Sequence, residues 1–149
     1  MFRSVRFVLA LAFVAVLAVG NVASAAAGGP KILDARMAAI PTSSLVLDRL
    51  TGGGVPWVID EGHAKLFADG RLEVDIEGLV IAATGVNPVA SGHAIVTCNG
   101  GPAATSPNVP FSPTGDAEVV TQVALPTPCL APAVFFTTGT DRWLAVTGF

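Results

Sequence analysis

The chain has only two histidines, His63 and His93, and catalytic or metal chemistry would be expected at these residues first. Ser91 stands two positions before His93, which places a hydroxyl group and a base close together in sequence. A serine hydrolase would also expose its nucleophile on a sharp strand-to-helix turn, usually within Gly-x-Ser-x-Gly, and this sequence has no such motif. A zinc or copper site would require both imidazoles and a third ligand to converge, and no His-x-His or Cys/His spacing indicates that. We therefore predict no catalytic residue, no metal and no cofactor.

Six carboxylates lie within eighteen consecutive residues: Asp60, Glu61, Asp69, Glu73, Asp75 and Glu77. Calcium sites gather such oxygens around one point in a loop. Here the last three acids alternate along a predicted strand, so their carboxylates stand side by side on one face, which favours a solvated outer face over a calcium site. His63, Asp75 and His93 are the residues that we retain as candidates for binding a ligand.

The two cysteines, Cys98 and Cys129, form an even pair without a Cys-x-x-Cys motif. In an oxidising compartment this pattern predicts a disulfide, whereas two thiols so far apart in sequence are not typical of a redox or zinc site. Closing a loop of about thirty residues should stabilise the fold by about 3–4 kcal/mol in the chain-entropy model.

The first twenty-five residues have the organisation of an export signal. Arg3 and Arg6 give a positive start, an uninterrupted apolar run of thirteen residues follows, and Ala23-Ser24-Ala25 supplies small residues for a signal peptidase. The apolar run is shorter than the ~20 residues of a membrane-spanning helix. We predict a signal peptide at 1–25, with cleavage after Ala25 or alternatively Ala27, and a secreted protein that stays in the cell envelope or enters the medium.

The predicted mature part, residues 26–149, is long enough for one domain and too short for two. Loss of the two leader arginines leaves six basic against eleven acidic side chains, a net charge of about −5. Nucleic acids and anionic lipid surfaces are bound by basic patches, so the charge predicts neither nucleic-acid binding nor membrane binding after signal cleavage.

Glycine, proline and short runs of Val, Ile, Leu and Thr alternate along the mature part, a pattern typical of strands and turns. We predict an all-β fold, a single immunoglobulin-like antiparallel β-sandwich. The predicted strands are Ile32–Met37, Ser44–Leu50, Trp57–Ile59, Gly62–Phe67, Arg71–Ile81, Ser91–Cys98, Ala117–Leu125, Ala133–Thr137 and Arg142–Thr147. The first of these could alternatively be a short helix.

The hairpin around Asp69-Gly70 is the element that the sequence defines best. A two-residue turn would place apolar and charged residues on the same face of the sheet. A three-residue loop, Ala68-Asp69-Gly70, with Gly70 in the left-handed region, separates the faces. This register pairs Leu66 with Leu72, Ala64 with Val74, Lys65 with Glu73 and His63 with Asp75.

Two further features concern the core and the surface. Trp57 and Trp143 are the only tryptophans, Tyr is absent, and we expect both indoles to pack in the core and not to stack on a sugar. The glycines and prolines of Asn99–Thr114 predict a long loop, and loops on a rigid β fold often carry recognition.

Several segments together resemble a group of small exported bacterial single-domain proteins of unassigned function. They are GGGVPWVIDEG (52–62), LEVDIEGLV (72–80), GVNPV (85–89), GDAE (115–118), LP (125–126) with Cys129, and AVTGF (145–149). The resemblance implies a bacterial origin and a free-standing domain. It implies no activity, substrate or catalytic residue.

These features predict an exported, non-enzymatic β-sandwich protein with a binding or structural role in the bacterial envelope or medium. Its partner would be an extracellular or envelope protein or a glycan. The competing hypothesis is a small secreted metal-dependent or hydrolytic protein that uses His63, His93 and the acidic hairpin 60–77. The two hypotheses differ in whether the two imidazoles converge in space.

Overall fold

The computed structural model describes residues 28–148. This part of the chain is all-β, as predicted, and contains thirteen strands and no helix. The strands are β1 (Lys31–Ala39), β2 (Val46–Leu47), β3 (Leu50–Thr51), β4 (Trp57–Val58), β5 (Glu61–Phe67), β6 (Arg71–Glu77), β7 (Val80–Ile81), β8 (Ser91–Cys98), β9 (Gly101–Thr105), β10 (Val109–Pro110), β11 (Ala117–Gln122), β12 (Ala133–Thr138) and β13 (Trp143–Thr147).

Nine strands form one antiparallel sheet that curls into a half-barrel. Its strand order is β10-β8-β12-β13-β1-β5-β6-β11, and β9 also pairs with β8. Strands β9 and β10 share one edge of β8, because β12 occupies the other edge. The remaining short strands form two small ladders, β2 with β3 and β4 with β7.

Strand β1 joins two differently built arms of the sheet. Its residues 31–36 pair with β5, and residues 37–39 pair with β13. We call β5, β6 and β11 with residues 31–36 of β1 the exposed arm, and β8, β12 and β13 the buried arm. Because one strand belongs to both arms, they form a single curled sheet, whereas the sequence predicts the two packed sheets of a sandwich.

The hairpin between β5 and β6 has the predicted register. His63 pairs with Asp75, Ala64 with Val74, Lys65 with Glu73 and Leu66 with Leu72. Gly70 has φ +90°, and its N–H donates to the carbonyl of Phe67 at 2.9 Å. The three-residue loop with a left-handed glycine is therefore confirmed.

Alternation along the exposed arm divides core from solvent. Leu66, Leu72, Val74 and Ile76 are buried, and the residues between them face outward. The opposite face of this arm meets water, as the sequence pattern predicts for a sheet covered on one side only.

The buried arm is covered on both faces, and nearly every residue of β8, β12 and β13 is buried. Residues that follow β1 in the sequence lie over the outer side of the buried arm. The indole N–H of Trp143 donates to the carbonyl of Leu45 at 3.0 Å, and Thr97 Oγ1 donates to Asp48 Oδ2 at 2.6 Å. Trp57 and Trp143 are 6 % and 1 % exposed, which confirms the prediction that both indoles are in the core.

The predicted single strand Ser44–Leu50 is wrong. The chain instead reverses at Asp48 and Arg49, which have φ values of 45° and 67°, and forms the short β2–β3 hairpin. A tight turn of this kind normally carries Asn or Asp followed by Gly, so an arginine in the left-handed region gives no sequence signal.

The predicted loop Asn99–Thr114 is also partly wrong, because it contains β9 and β10. Pro102 pairs with Thr97 and Pro110 with Ser91 at the edge of the sheet. Proline is compatible with a strand at an edge, because no neighbouring strand requires a hydrogen bond from the N–H that proline lacks.

The predicted strand Arg71–Ile81 ends at Glu77 and resumes as β7. Gly78 interrupts it with φ +64°, and a Cβ at this position would lie 2.2 Å from Oδ2 of Asp60. The helical alternative for Ile32–Met37 is wrong, because these residues belong to β1.

The predicted disulfide is present. Cys98 and Cys129 are bonded with their α-carbons 5.0 Å apart, and the bridge joins the end of β8 to the connection before β12. Asn99 reinforces the junction, since its N–H donates to the carbonyl of Leu130 and its Oδ1 accepts from the N–H of Leu130.

The predicted signal peptide, 1–25, lies outside the described residues. Between residues 28 and 148 there is no helix with the length and hydrophobicity that a bilayer crossing requires.

Candidate functional site

His63 lies on the outward face of the exposed arm. Its Nε2 is 2.8 Å from Oδ1 of Asp34, and both side chains are more than one third exposed. The cross-strand neighbour of His63 is Asp75, as predicted, but the imidazole contacts the carboxylate on β1 and not the one on β6. A hydrogen bond from Lys31 lowers the pKa of Asp34, and the charges of His63 and Lys65 act in the same direction.

Asp75 lines a groove of about 350 Å³ on the same face. Its cross-strand neighbour on β11 is Glu118, and Glu61 faces Glu77 in the same way, so like charges stand opposite each other twice. Such pairs are unfavourable when they are close. Within residues 28–148, no group of three or more His, Cys, Asp or Glu side chains has a geometry that could hold a metal ion.

His93 is buried in the other arm and is bonded at both ring nitrogens. Its Nδ1 lies 3.0 Å from Oδ1 of Asn108, in the β9–β10 connection, and its Nε2 lies 2.8 Å from Oδ1 of Asp141, in the turn between β12 and β13. Asp141 has φ 61°, a conformation that aspartate adopts more readily than most residues.

The position of His93 makes it a link between two loops. A base that activates a nucleophile must bond to it, and in this structure the ring nitrogens bond to Asn108 and Asp141 and not to Ser91. His63 and His93 share no partner and lie in different arms. The structure therefore does not bring together the residues that the hydrolytic or metal-dependent hypothesis requires.

A different region forms an apolar cleft of about 470 Å³. Trp57 and Leu144, which are almost fully buried, and the half-exposed Val55 contribute to its wall. The cleft lies between the chain segments 53–57 and 88–91, with β7 on one side and the turn between β12 and β13 on the other. Among the residues between 28 and 148 that line it, Arg142 is the only one with an ionisable side chain.

The main chain around the cleft is held by hydrogen bonds that do not depend on a ligand. The N–H of Gly53 donates to the carbonyl of Trp143 at 2.9 Å, and the N–H of Trp57 donates to the carbonyl of Ile40 at 2.9 Å. The N–H of Ala82 donates to the carbonyl of Pro56 at 3.1 Å. The walls are therefore preformed, which reduces the entropy lost when a ligand binds.

Comparison of the chain with models of known protein families, with curated proteins and with solved structures finds no match.

Segments around Gly78, Asn87 and Asp116 meet at one junction. The side-chain amide of Asn87 donates to the carbonyls of Val89 and Ser112, at 2.8 and 2.7 Å. Asp116 accepts the N–H of Gly78 at 3.1 Å. These polar residues hold the ends of several strands together, so their role in this structure is to position the chain.

Asp116 is the charged centre of this junction. Hydrogen bonds from the hydroxyl of Thr114, the N–H of Gly78 and the hydroxyl of Ser112 lower the pKa of its carboxyl group. Gly115 precedes it with φ +90°, and a Cβ there would lie 2.4 Å from the backbone nitrogen of Leu79.

Sequence reasoning missed both the cleft and the junction. The cleft is built from four separate segments, and no single one of them has a distinctive motif. For the junction, the sequence signal was present in the Gly-Asp pair at 115–116 and in Asn87-Pro88, because asparagine and aspartate favour local bonds to the backbone.

Proposed function

We propose that this protein is exported from a bacterial cell and acts in the envelope or medium as a non-enzymatic binding protein. The main observation behind the proposal is the apolar cleft. An apolar part of the protein's ligand would bind there beside Trp57, Val55 and Leu144. Its volume of about 470 Å³ is within the ~300–1,000 Å³ range of small-molecule sites.

Export is supported by two features that are independent of the cleft. The first is the leader sequence at 1–25. The second is the disulfide, which is typical of oxidising compartments.

The non-enzymatic part of the proposal is supported by the partners of the two histidines. His63 contacts Asp34 on an exposed face, and His93 is fixed between two loops. Each imidazole therefore has a structural role of its own.

For the fold class, we propose that the two arms act as the layers of an immunoglobulin-like sandwich that share β1. In support, both arms contribute to a single core: Leu66 and Val74 come from one arm, and Phe135 and Phe136 from the other. A crystal structure in which the strands of the two arms lie within about 30° of each other would agree with this, and a closed barrel would contradict it.

Gly54 allows the binding proposal to be tested. A Cβ at Gly54 would meet no atom within 4 Å, and this glycine is not in the left-handed region, so the backbone here accepts a residue with a side chain at the cleft wall. Gly54→Trp should block the cleft, and Gly54→Ala is the matched control that adds one methyl group.

The measurement is a titration with Nile red, a neutral dye that fluoresces in apolar surroundings. The wild-type protein and Gly54→Ala should bind the dye with similar affinity, and Gly54→Trp should lose most of the signal. Equal binding by all three proteins would place the dye elsewhere and contradict the proposal. Mass spectrometry of organic extracts from protein purified out of the producing bacterium would then identify what the cleft carries.

A further inference from the structure

We infer that the ligand of the cleft is a free, single-chain amphiphile with an anionic head, of the class of a medium-chain carboxylate. The apolar chain lies against Trp57 and Leu144, and the head group meets Arg142. This inference rests on the proposed binding function and adds the chemistry of the ligand.

Charge distinguishes the cleft from the rest of the surface. The mature part carries about five more acidic than basic side chains, yet no carboxylate lines the cleft and one guanidinium does. Arg142 forms no ion pair with any residue between 28 and 148. An anion at this place would meet a cation that no carboxylate between residues 28 and 148 pairs with.

The turn between β12 and β13 fixes the backbone of Arg142. The N–H of Thr138 donates to the carbonyl of Arg142 at 2.8 Å, and the N–H of Arg142 lies 3.3 Å from Oγ1 of Thr138. The preceding residue, Asp141, is bonded to His93, so its carboxylate has a partner of its own. The turn therefore fixes the backbone from which the Arg142 side chain extends at the cleft.

The neighbouring rim residues suit a carboxylate head. The hydroxyl groups of Thr138 and Thr140 bond to each other at 3.1 Å, so one of these two and the hydroxyl of Ser91 can donate to its oxygens. Guanidinium and carboxylate form paired hydrogen bonds of good geometry. A cationic head would have no carboxylate to meet among the lining residues. An uncharged ligand would make no charge-assisted contact with Arg142, whose exposed side chain would stay hydrated.

The experiment compares three probes that share a ten-carbon chain: decanoate, decanol and decyltrimethylammonium. Each is titrated into the full-length mature protein below its micelle concentration, and displacement of Nile red is measured. Decanoate should bind about three- to tenfold more tightly than decanol, and the cation should bind weakest. Lengthening the carboxylate should improve affinity by up to about fourfold per methylene that enters the cleft.

Variants of Arg142 measure the contribution of the ligand's head group to affinity separately from that of its alkyl chain. Arg142→Gln should remove the preference for decanoate over decanol and leave decanol binding unchanged, and Arg142→Lys should restore part of the preference. Arg36→Gln removes the same charge from the exposed arm and is the matched control. Arg142 is exposed, so we expect the variants to fold, and circular dichroism verifies this.

The outcomes distinguish this inference from the proposed function. Equal affinity for decanoate and decanol in the wild type, with no effect of Arg142→Gln, overturns the anionic head and leaves apolar binding in place. Failure of every probe and of Nile red to bind overturns the proposed function and this inference with it. Binding to phosphatidylglycerol vesicles in preference to free decanoate would show that the site takes a membrane surface, which also overturns the inference.

Discussion

The two histidines show how differently the two arms of the sheet use the same side chain. His63 lies on a face that meets water and contacts a carboxylate that is itself more than one third exposed. The side chain of His93 is only 6 % exposed and is bonded at both nitrogens. In water, an ion pair gains little because solvent competes for both partners, whereas a buried polar group that loses its partners has nothing to replace them. The residue type alone therefore does not indicate how much a histidine contributes to stability. Whether other parts of the chain cover its side chain is a better guide.

The largest effect is expected from the disulfide, which ties only the buried arm. Replacing both Cys98 and Cys129 with Ser should lower the free energy of unfolding by about 3–4 kcal/mol, because the unfolded chain regains the freedom of a loop closed across 31 residues. Urea unfolding under oxidising conditions measures the change. A loss below about 1 kcal/mol would show that the bridge adds little to what the strands and Asn99 already hold.

The next test compares the histidines directly. His93→Ala should lower the free energy of unfolding by about 2–3 kcal/mol, since it replaces a side chain that is only 6 % exposed with a cavity and removes the hydrogen bonds that link the two loops. His63→Ala should cost less than about 1 kcal/mol. Chemical denaturation of the two variants at one pH gives both values. Similar losses would contradict the distinction between the arms.

Acid should weaken the exposed arm first. Asp69 accepts the N–H groups of Arg71 and Gly29, which lower its pKa, and the pKa values of Asp34 and Asp116 are lowered as well. When folding lowers a carboxyl pKa, the stability it contributes is fully present above the unfolded value of 3.8 and is lost as the pH falls through the folded value. Stability should therefore decline below about pH 4.

Asp116→Asn tests the origin of this decline. The amide retains an oxygen for the N–H of Gly78 but no longer titrates, so its stability should depend less steeply on pH below 4 than that of the wild type. Hydrogen exchange, corrected for the intrinsic rate at each pH, should show that β5, β6 and β11 lose protection before β8 and β12. Earlier loss in the buried arm would contradict this order.

The smallest effect is expected at the cross-strand pair of Lys65 and Glu73. Its atoms are 3.8 Å apart and both side chains are partly exposed, so Lys65→Ala should change the free energy of unfolding by only about 0.5 kcal/mol. Repeating the measurement in high salt checks the electrostatic origin, since the difference from the wild type should shrink. A loss above 1 kcal/mol would show that this pair contributes more than its exposure indicates.

The sequence predicted the elements whose pattern is local. The β5–β6 hairpin follows from alternation and one glycine, and β8 has the predicted bounds, Ser91–Cys98. The cysteine pair could be assigned because there was only one possible pairing. The two strand features are determined by short stretches of sequence, and the disulfide is determined because the chain has only two cysteines.

The sequence could not predict features that depend on distant segments. The change of partner along β1 and the covering of the buried arm by Leu45 and Asp48 depend on contacts far apart in the chain. The same is true of the candidate site. Arg142 is a candidate only because other segments place apolar residues beside it. The two partners of His93 also come from other segments, so its residue type alone does not predict them.

The turn between β12 and β13 serves two regions through adjacent residues. Asp141 reaches His93 on one side, and Arg142 lines the cleft on the other. Because this short turn sets the positions of both residues, inserting or deleting one residue here would displace both side chains and damage both contacts at once. The length of this turn is therefore constrained by both regions at once.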